Sequence, residues 1–466
     1  MSGHPLTWLR TVLETGDGLL RQMHFGDRAD RKFHGGCVDS RGACSGRLFF
    51  AIRGERADGH RYVGAAFEAG CVAVVIEQEE IARVLRERGY PFALVTSVQR
   101  GLGVLAAAHR VAVGARVIAI TGSSGKTSTK EYVRAVVRTR YRVHANAGNL
   151  NSTVGAPLAV LDADGDAQYL ICEVGANQPG EIGAIAEVLQ PDVGVITNIG
   201  DAHVGHFGSR AGIAQAKSEL IAGIRPEGYA VLPRDDDYFL SLGESTRARV
   251  VTFGSTAGAD ACVTSIQQEV SGTAFFVNGQ AARVPALGSY HVLNAAAAVA
   301  VGQVCGVDEG LAIESLAGVT PLDGRGRIHH VRGTTIIDES YNASPASMLR
   351  SIFMLAQVAA TRRIAVLGDM LELGTHADDR VREVGNALAA SVVDLVFWIG
   401  PQGATIEKLL SSSRCQLERF DELADLTGRV LDAVAPDDVV LVKASRACGL
   451  DKTVRALVDS PKEKGA

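Results

Sequence analysis

The chain predicts an α/β protein of three units. These are an N-terminal α/β unit over residues 1–112, a central phosphate-loop unit with a mainly parallel sheet over 113–323, and a C-terminal Rossmann-like unit over 324–466. Three observations carry this reading. A short apolar strand, a glycine turn and a helix follow one another between Val117 and Arg138. Strand-length apolar runs alternate with helical spacing on both sides of that stretch. A length of 466 residues also suits two to four domains.

The organising stretch comes first. Val117 to Ile120 is rich in β-branched residues and reads as a buried parallel strand. The turn Thr121-Gly122-Ser123-Ser124-Gly125-Lys126-Thr127 follows, and from Ser128 the residues Tyr132, Val133, Val136 and Val137 recur at helical spacing. This is the context of a phosphate-binding loop. Gly122 and Gly125 let the backbone bend round an anion, and the unpaired N–H groups of the helix start point at it. Lys126 suits the β and γ phosphates, and the Thr127 hydroxyl suits Mg²⁺. The longer form of such a loop carries another glycine where this chain has Ile120.

Composition bounds the alternatives. Apolar residues make up 47% and charged residues 21%, an ordinary globular balance with chain enough to bury cores. A formal net charge of −5 argues against nucleic-acid binding, which needs a basic surface. The eight cysteines show neither a C-x-x-C pair nor zinc spacing, and read as small core residues of a reduced, cytoplasmic protein. No basic-then-apolar leader opens the sequence. The most apolar long stretch, Val292 to Val304, is too short to span a bilayer and contains Asn294 and Gln303. It reads as a buried helix opened by Asn294, so no membrane insertion is expected. A monomer is expected.

In the first unit, 46–54 reads as a strand, 59–70 as a helix stopped by Gly70, and 71–77 as a second strand. Before them lies the short polar patch Asp39-Ser40-Arg41.

In the central unit, 146–157 is dense in Asn, Gly and Pro and reads as a loop. The strand Tyr169 to Cys172 ends at Glu173. An acid at the C-terminal end of a parallel strand faces the ligand crevice, the place for a Mg²⁺ carboxylate. Val193 to Ile196 is the next strand, with His203 shortly beyond it. Lys217 lies on a helix and, on spacing alone, reads as a solvated lysine. A strand-rich section runs from Tyr229 to Val284, and its Asp235-Asp236-Asp237 reads as a solvated turn. The glycine-rich 321–327 reads as an interdomain joint with Gly324 and Gly326 as its hinge. In the third unit, 334–338, 363–368, 394–400 and 438–443 read as strands. No G-x-G-x-x-G follows any of them, so no dinucleotide is implied.

Taken together, T-G-S-S-G-K-T-S-T-K-E, N-L-N-S-T-V-G-A-P, E-V-G-A-N-Q-P-G-E-I, D-E-S-Y-N-A-S-P-A-S-M, G-D-M-L-E-L-G and K-A-S-R resemble the motifs of the Mur ligase family, in order and across nearly the whole chain. The pairing of D-x-S-Y-N-A-x-P with G-D-M-x-E-L-G favours the MurF branch. The resemblance implies an ATP- and Mg²⁺-dependent amide ligase with an acyl-phosphate intermediate, joining D-alanyl-D-alanine to a UDP-linked muramoyl tripeptide. It implies that Gly122, Ser123, Ser124, Gly125, Lys126, Thr127 and Ser128 hold the ATP phosphates. Thr127, Glu173, His203 and Lys217 would serve the metal, Lys217 as a carbamate. Lys126, Glu173, His203 and Lys217 would form the catalytic set. Asn294 and Arg327 resemble nucleotide contacts, and Asp338, Tyr341 and Asn342 would close that site from the third unit. Asp39, Ser40 and Arg41 resemble the uridine-diphosphate contact, and Asn149, Asn151 and Asn177 fall to substrate binding. The chain departs from the usual pattern at Arg47, Ser344 and Ala444. A related amide ligase with another amine, and a slow nucleotide switch, are the rival functions such a loop would serve. The absence of N-K-x-D weighs against a guanine-nucleotide switch.

Overall fold

A computed structural model describes residues 3–54, 57–146, 148, 150–201, 204–371, 373 and 377–459. His203 and Asn149 lie outside the described residues.

Three large sheets form, and their order along the chain sets the architecture. The first has five strands in the order Leu20–His24, Phe92–Val95, Ala73–Ile76, Leu48–Phe50 and Gly36–Cys37. Only the Leu20–His24 edge is antiparallel. The second has nine strands. Seven of them, from Ala261–Glu269 through Arg249–Gly254, Tyr229–Pro233, Val193–Ile196, Arg116–Thr121 and Tyr169–Glu173 to Val143–Ala145, pair in parallel. An antiparallel pair, Gly272–Val277 and Gln280–Val284, closes the far edge. The third has six strands, parallel except for the hairpin of Arg327–Val331 with Thr334–Asp338.

Parallel strands buried on both faces need continuous apolar runs. Ile118, Ala119 and Ile120, and Val440, Leu441 and Val442, are fully buried. The phosphate-loop strand Arg116–Thr121 sits between Val193–Ile196 and Tyr169–Glu173. The chain crosses to one side of it for Tyr169–Glu173 and to the other for Val193–Ile196. It is therefore a topological switch point, where α/β sheets open a crevice at strand C-termini.

The helix Val98–Val113 ends where the first boundary is expected. Its apolar side shares one core with both neighbours: Leu13, Val75, Leu102, Ala106, Leu170 and Ile185 belong to a single buried cluster. Arg47, a departure from the family pattern, forms a 2.5 Å ion pair with Asp162 of the central unit.

Three expectations need correction. The stretch 146–157 is not all loop, because a helix, Gly155–Leu161, begins inside it. Pro157 is tolerated there because the first turn of a helix has no partner for its N–H. The alanine-rich helix starts at Ser289, five residues before Asn294, so Asn294 lies within it and is buried. Lys217 is not solvated; it is 6% exposed on the inner face of Arg210–Ala222. The turn expected at the aspartates 235–237 does form, with Asp235 and Asp237 exposed, and it also ties strand ends together. Asp235 accepts from Ser255 and Thr256, and Asp236 from the Ile199 N–H. Among the described residues, no helix is long and apolar enough to cross a membrane.

Candidate functional site

The loop between Thr121 and Lys126 is held by the neighbouring strand's outgoing turn. Thr197 Oγ1 donates to the Ser124 carbonyl at 2.6 Å, and Asn198 Nδ2 donates to the same oxygen at 3.0 Å. The Asn198 amide oxygen accepts from both the Ser124 N–H and its hydroxyl, each at 3.2 Å. The Ser123 N–H donates to the Asn198 carbonyl at 3.0 Å. Gly125 has φ +78°, and a Cβ there would strike the Asn294 side chain. The helix Lys126–Arg138 starts without a side-chain cap, so its first N–H groups face the crevice.

Lys126 Nζ donates back to the Gly122 carbonyl at 2.9 Å. Burial lowers its pKa, opposed by the Glu173 carboxylate and reinforced by Arg325. Thr127 Oγ1 donates to Glu173 Oε2 at 2.8 Å, and Asn151 Nδ2 donates to Glu173 Oε1 at 2.8 Å. Asn146 fixes the strand end, accepting the Glu173 N–H at 3.0 Å. The buried Lys130 ammonium donates to the Asn146 carbonyl at 2.6 Å. Lys217 lies deeper. Burial, with the Lys126 charge nearby, brings its pKa down to about 7.

A cavity of about 390 Å³ joins this loop to the third unit. Ser123, Ser124, Gly125, Lys126, Thr127, Ser128, Asn151, Glu173 and Asn294 line one wall, and Tyr341 and Asn342 the other. Arg325, Glu339, Arg350 and Lys443 also line it; Glu339 and Lys443 stand in the strand-end motifs D-E-S-Y-N and K-A-S-R but carried no assigned role, and Arg325 and Arg350 were not singled out. The Arg325 guanidinium lies 3.9 Å from the Tyr341 ring centroid. Lys443 and Glu339 form a buried 3.0 Å ion pair, and the Ser351 hydroxyl also donates to Glu339.

Arg327 is not among the cavity-lining residues. It starts the edge strand and pairs with Asp323, whereas Arg325 takes the position over Tyr341. Asp338 is buried beneath the joint, its oxygens accepting from the Gly324 N–H at 2.7 Å and from the Ser340 N–H and hydroxyl. Asp39 and Arg41 are paired with each other at 2.8 Å on the first unit; they, Ser40 and the exposed Asn177 lie away from the cavity. Ser344, another departure, caps the helix Pro345–Gln357 in a capping box with Ser347.

The Mg²⁺ donors can be tested on their chemistry. Among the described residues no cluster of three His, Cys, Asp or Glu side chains could enclose an ion. The Thr127 hydroxyl and the Glu173 carboxylate do converge beside a phosphate loop, the carboxylate being steadied by the Asn151 amide N–H. That sparse pair of hard oxygens fits Mg²⁺, which keeps waters and completes its shell with substrate phosphates.

An anion-binding loop at a sheet's switch point, faced across a cleft by basic and aromatic groups of a second α/β layer, defines a nucleotide-dependent ligase architecture. Three family models cover the chain: "Mur ligase family, catalytic domain" at 32–122, "Mur ligase middle domain" at 120–302, and "Mur ligase, glutamate ligase domain" at 324–446. The UDP-N-acetylmuramoyl-tripeptide–D-alanyl-D-alanine ligase of Bacillus subtilis is 35% identical over 434 residues, 92% of this chain and 94% of that one. The enzyme of the same name from Escherichia coli is 32% identical, covering 91% and 93%. Among solved structures, MurF from Acinetobacter baumannii superposes with a TM-score of 0.86 at 28% identity, over 99% of this chain and 100% of that one. MurF ligase from Thermotoga maritima in complex with ADP gives 0.80 at 28% identity, over 91% and 97%. The chain belongs to the Mur ligase family.

Proposed function

We propose that this chain joins D-alanyl-D-alanine to UDP-N-acetylmuramoyl-tripeptide, consuming ATP and producing ADP and phosphate. The full-length similarity to ligases of that name supports the substrates. The observation that carries the chemistry is the buried Thr127–Glu173–Asn151 group at the head of the Lys126 helix, open to a cavity walled by a second unit.

A carboxylate is a poor electrophile because oxide would have to leave. In the proposed reaction its oxygen attacks the γ-phosphorus of ATP, the bond to the β–γ bridging oxygen breaks, and ADP departs with that electron pair. The amine of D-alanyl-D-alanine then attacks the acyl carbon. The carbon–oxygen bond to phosphate breaks, and the amine's extra proton leaves on the departing phosphate as the amide forms. Charge gathers on phosphoryl oxygens, so positioned cations and N–H donors carry the rate. Lys126 and the helix N-terminus hold the phosphates. Thr127 and Glu173 would hold Mg²⁺, which supplies Lewis-acid neutralisation of phosphate charge. Asn294, Arg325 and Tyr341 border the nucleotide's place. The low pKa of Lys217 leaves a free amine near neutrality, the form that takes up carbon dioxide to become a carbamate. The Asp39-Ser40-Arg41 patch would anchor the uridine diphosphate, and closure of the third unit would exclude water from the acyl phosphate.

The test is phosphate release with ATP, Mg²⁺, the uridine-linked tripeptide and D-Ala-D-Ala, each omitted in turn. Release should require all four. Release that persists without the dipeptide, or a preference for another amine, overturns the assignment.

A further inference from the structure

We propose that Arg350 is a ligand of the phosphoryl group in transfer, supplied by the third unit to the loop carried by the second. This rests on the ligase reading above and adds a residue to it.

Arg350 lies in the helix Pro345–Gln357, whose start is fixed by the Ser344 capping box. Its Nη2 donates to the Ser124 hydroxyl at 3.2 Å, across 226 positions of chain. Ser124 immediately precedes Gly125, and Asn198 already grips its N–H and hydroxyl. The guanidinium therefore meets a part of the loop that cannot retreat from it.

A guanidinium has five N–H donors. Among the described residues, the bond to Ser124 is the single hydrogen bond the Arg350 guanidinium makes. Glu339, whose charge favours that of Arg350, forms no ion pair with it among the described residues. Glu339 is committed to Lys443 and Ser351. The Tyr290 ring, 6.0 Å from the guanidinium carbon, steadies its flank. Burial disfavours the charge, yet an arginine keeps its proton at any ordinary pH. A charged, donor-rich, under-partnered group at the cavity wall is a site for an anion. The anion this cavity is built to take is polyphosphate.

The geometry also explains why an arginine stands here. Lys126 and the helix start approach the phosphates from the central unit, and Arg350 approaches from the opposite wall. A planar fork can bind two non-bridging oxygens of the transferring phosphoryl while the attacking carboxylate and departing ADP keep their line. No covalent bond to Arg350 forms. Its donors pass from Ser124 to phosphoryl oxygens as charge develops there.

The experiment uses full-length Arg350→Met, Arg350→Lys and Arg350→Ala beside the unmodified chain and Lys126→Ala. Two quantities are read: kcat in the four-component assay, and affinity for ADP alone against ADP with aluminium fluoride, which mimics the phosphoryl in flight. Arg350→Met should lose about 10²- to 10³-fold in kcat. It should keep ADP affinity within about threefold and lose its preference for the fluoride complex. Arg350→Lys should recover part of the rate, and ethylguanidinium should raise the rate of Arg350→Ala. A kcat for Arg350→Met within about threefold of the unmodified chain overturns the proposal. So does a loss that ethylguanidinium and the lysine variant both fail to relieve, with fluoride-complex affinity unchanged. If the unmodified chain itself releases no phosphate, the ligase reading has failed. If it does so, Lys126→Ala does not, and Arg350→Met keeps full speed, then this proposal alone has failed.

Discussion

Thr127 and Glu173 are hydrogen-bonded at 2.8 Å, buried, and 46 positions apart in the chain. One opens the loop helix and the other ends the adjacent parallel strand, so sheet register places them together. Glu173→Gln keeps the volume and removes the charge. Activity should fall by about 10²-fold or more, with a higher Mg²⁺ requirement and a melting temperature within a few degrees of the unmodified chain. Magnesium titration of the initial rate checks this; an unchanged Mg²⁺ requirement removes Glu173 from the metal's neighbourhood.

Lys217 gives a pH prediction. Its amine is brought down to about 7 by burial and by Lys126, against an ordinary lysine value of 10.5. Between those values the folded chain holds fewer protons than the unfolded one. The lysine's cost to stability is therefore full below about pH 7 and fades as pH rises toward the ordinary value. Lys217→Met should be more stable than the parent at pH 6 and inactive throughout. If Lys217 works as a carbamate, bicarbonate should raise the parent's rate, and short carboxylates should partly rescue Lys217→Ala. Denaturant melts at pH 6 and pH 9, with rates in degassed and bicarbonate buffers, decide both points.

The joint at Gly324 and Gly326 is tighter than a free linker. Gly326 has φ +82°, and a Cβ there would meet the His291 ring; a Cβ on Gly324 would meet the Tyr341 backbone. Gly326→Ala should destabilise by about 1–3 kcal/mol through left-handed strain and collision. Gly324→Pro should also lower kcat, because Pro lacks the N–H that Asp338 accepts. Equilibrium melts and steady-state kinetics measured together would show it, and unchanged values in both would remove the hinge assignment.

Asn198 tests the loop's scaffold. Three of its hydrogen bonds to Ser124 come from one side-chain amide. Asn198→Ala should raise the ADP dissociation constant by about tenfold, since those bonds hold the N–H groups that face the phosphates. Calorimetric titration with ADP gives the number directly, and an unchanged constant would mean the loop holds its shape without that amide.

Much of this site was legible because its signals are local or follow from topology. Val117 to Arg138 carries its own strand, turn and helix periodicity. Glu173 was recognisable because parallel strands deliver their last residue to a crevice. G-R-G-R offers two arginines, and which of them lines the cavity depends on where the edge strand begins; it is Arg325. Arg350 left no local mark: it reads as an ordinary basic helix residue until two units face each other. Lys443 ended a strand inside the K-A-S-R motif, but nothing local gave it a partner or a role. Lys217 looked solvated because helix spacing shows an apolar face but not how widely neighbouring elements cover it.

The Arg47–Asp162 pair and the core running from Leu13 to Ile185 weld the first and central units into one block. The span from the Asp39 turn to Lys126 is thereby set by packed side chains; with the uridine end held at the first point, as proposed, a peptide would reach the second only with the right number of bonds. On that proposal the scaffold is a caliper, grading acceptors by their reach before any pocket inspects which amino acid stands at their end.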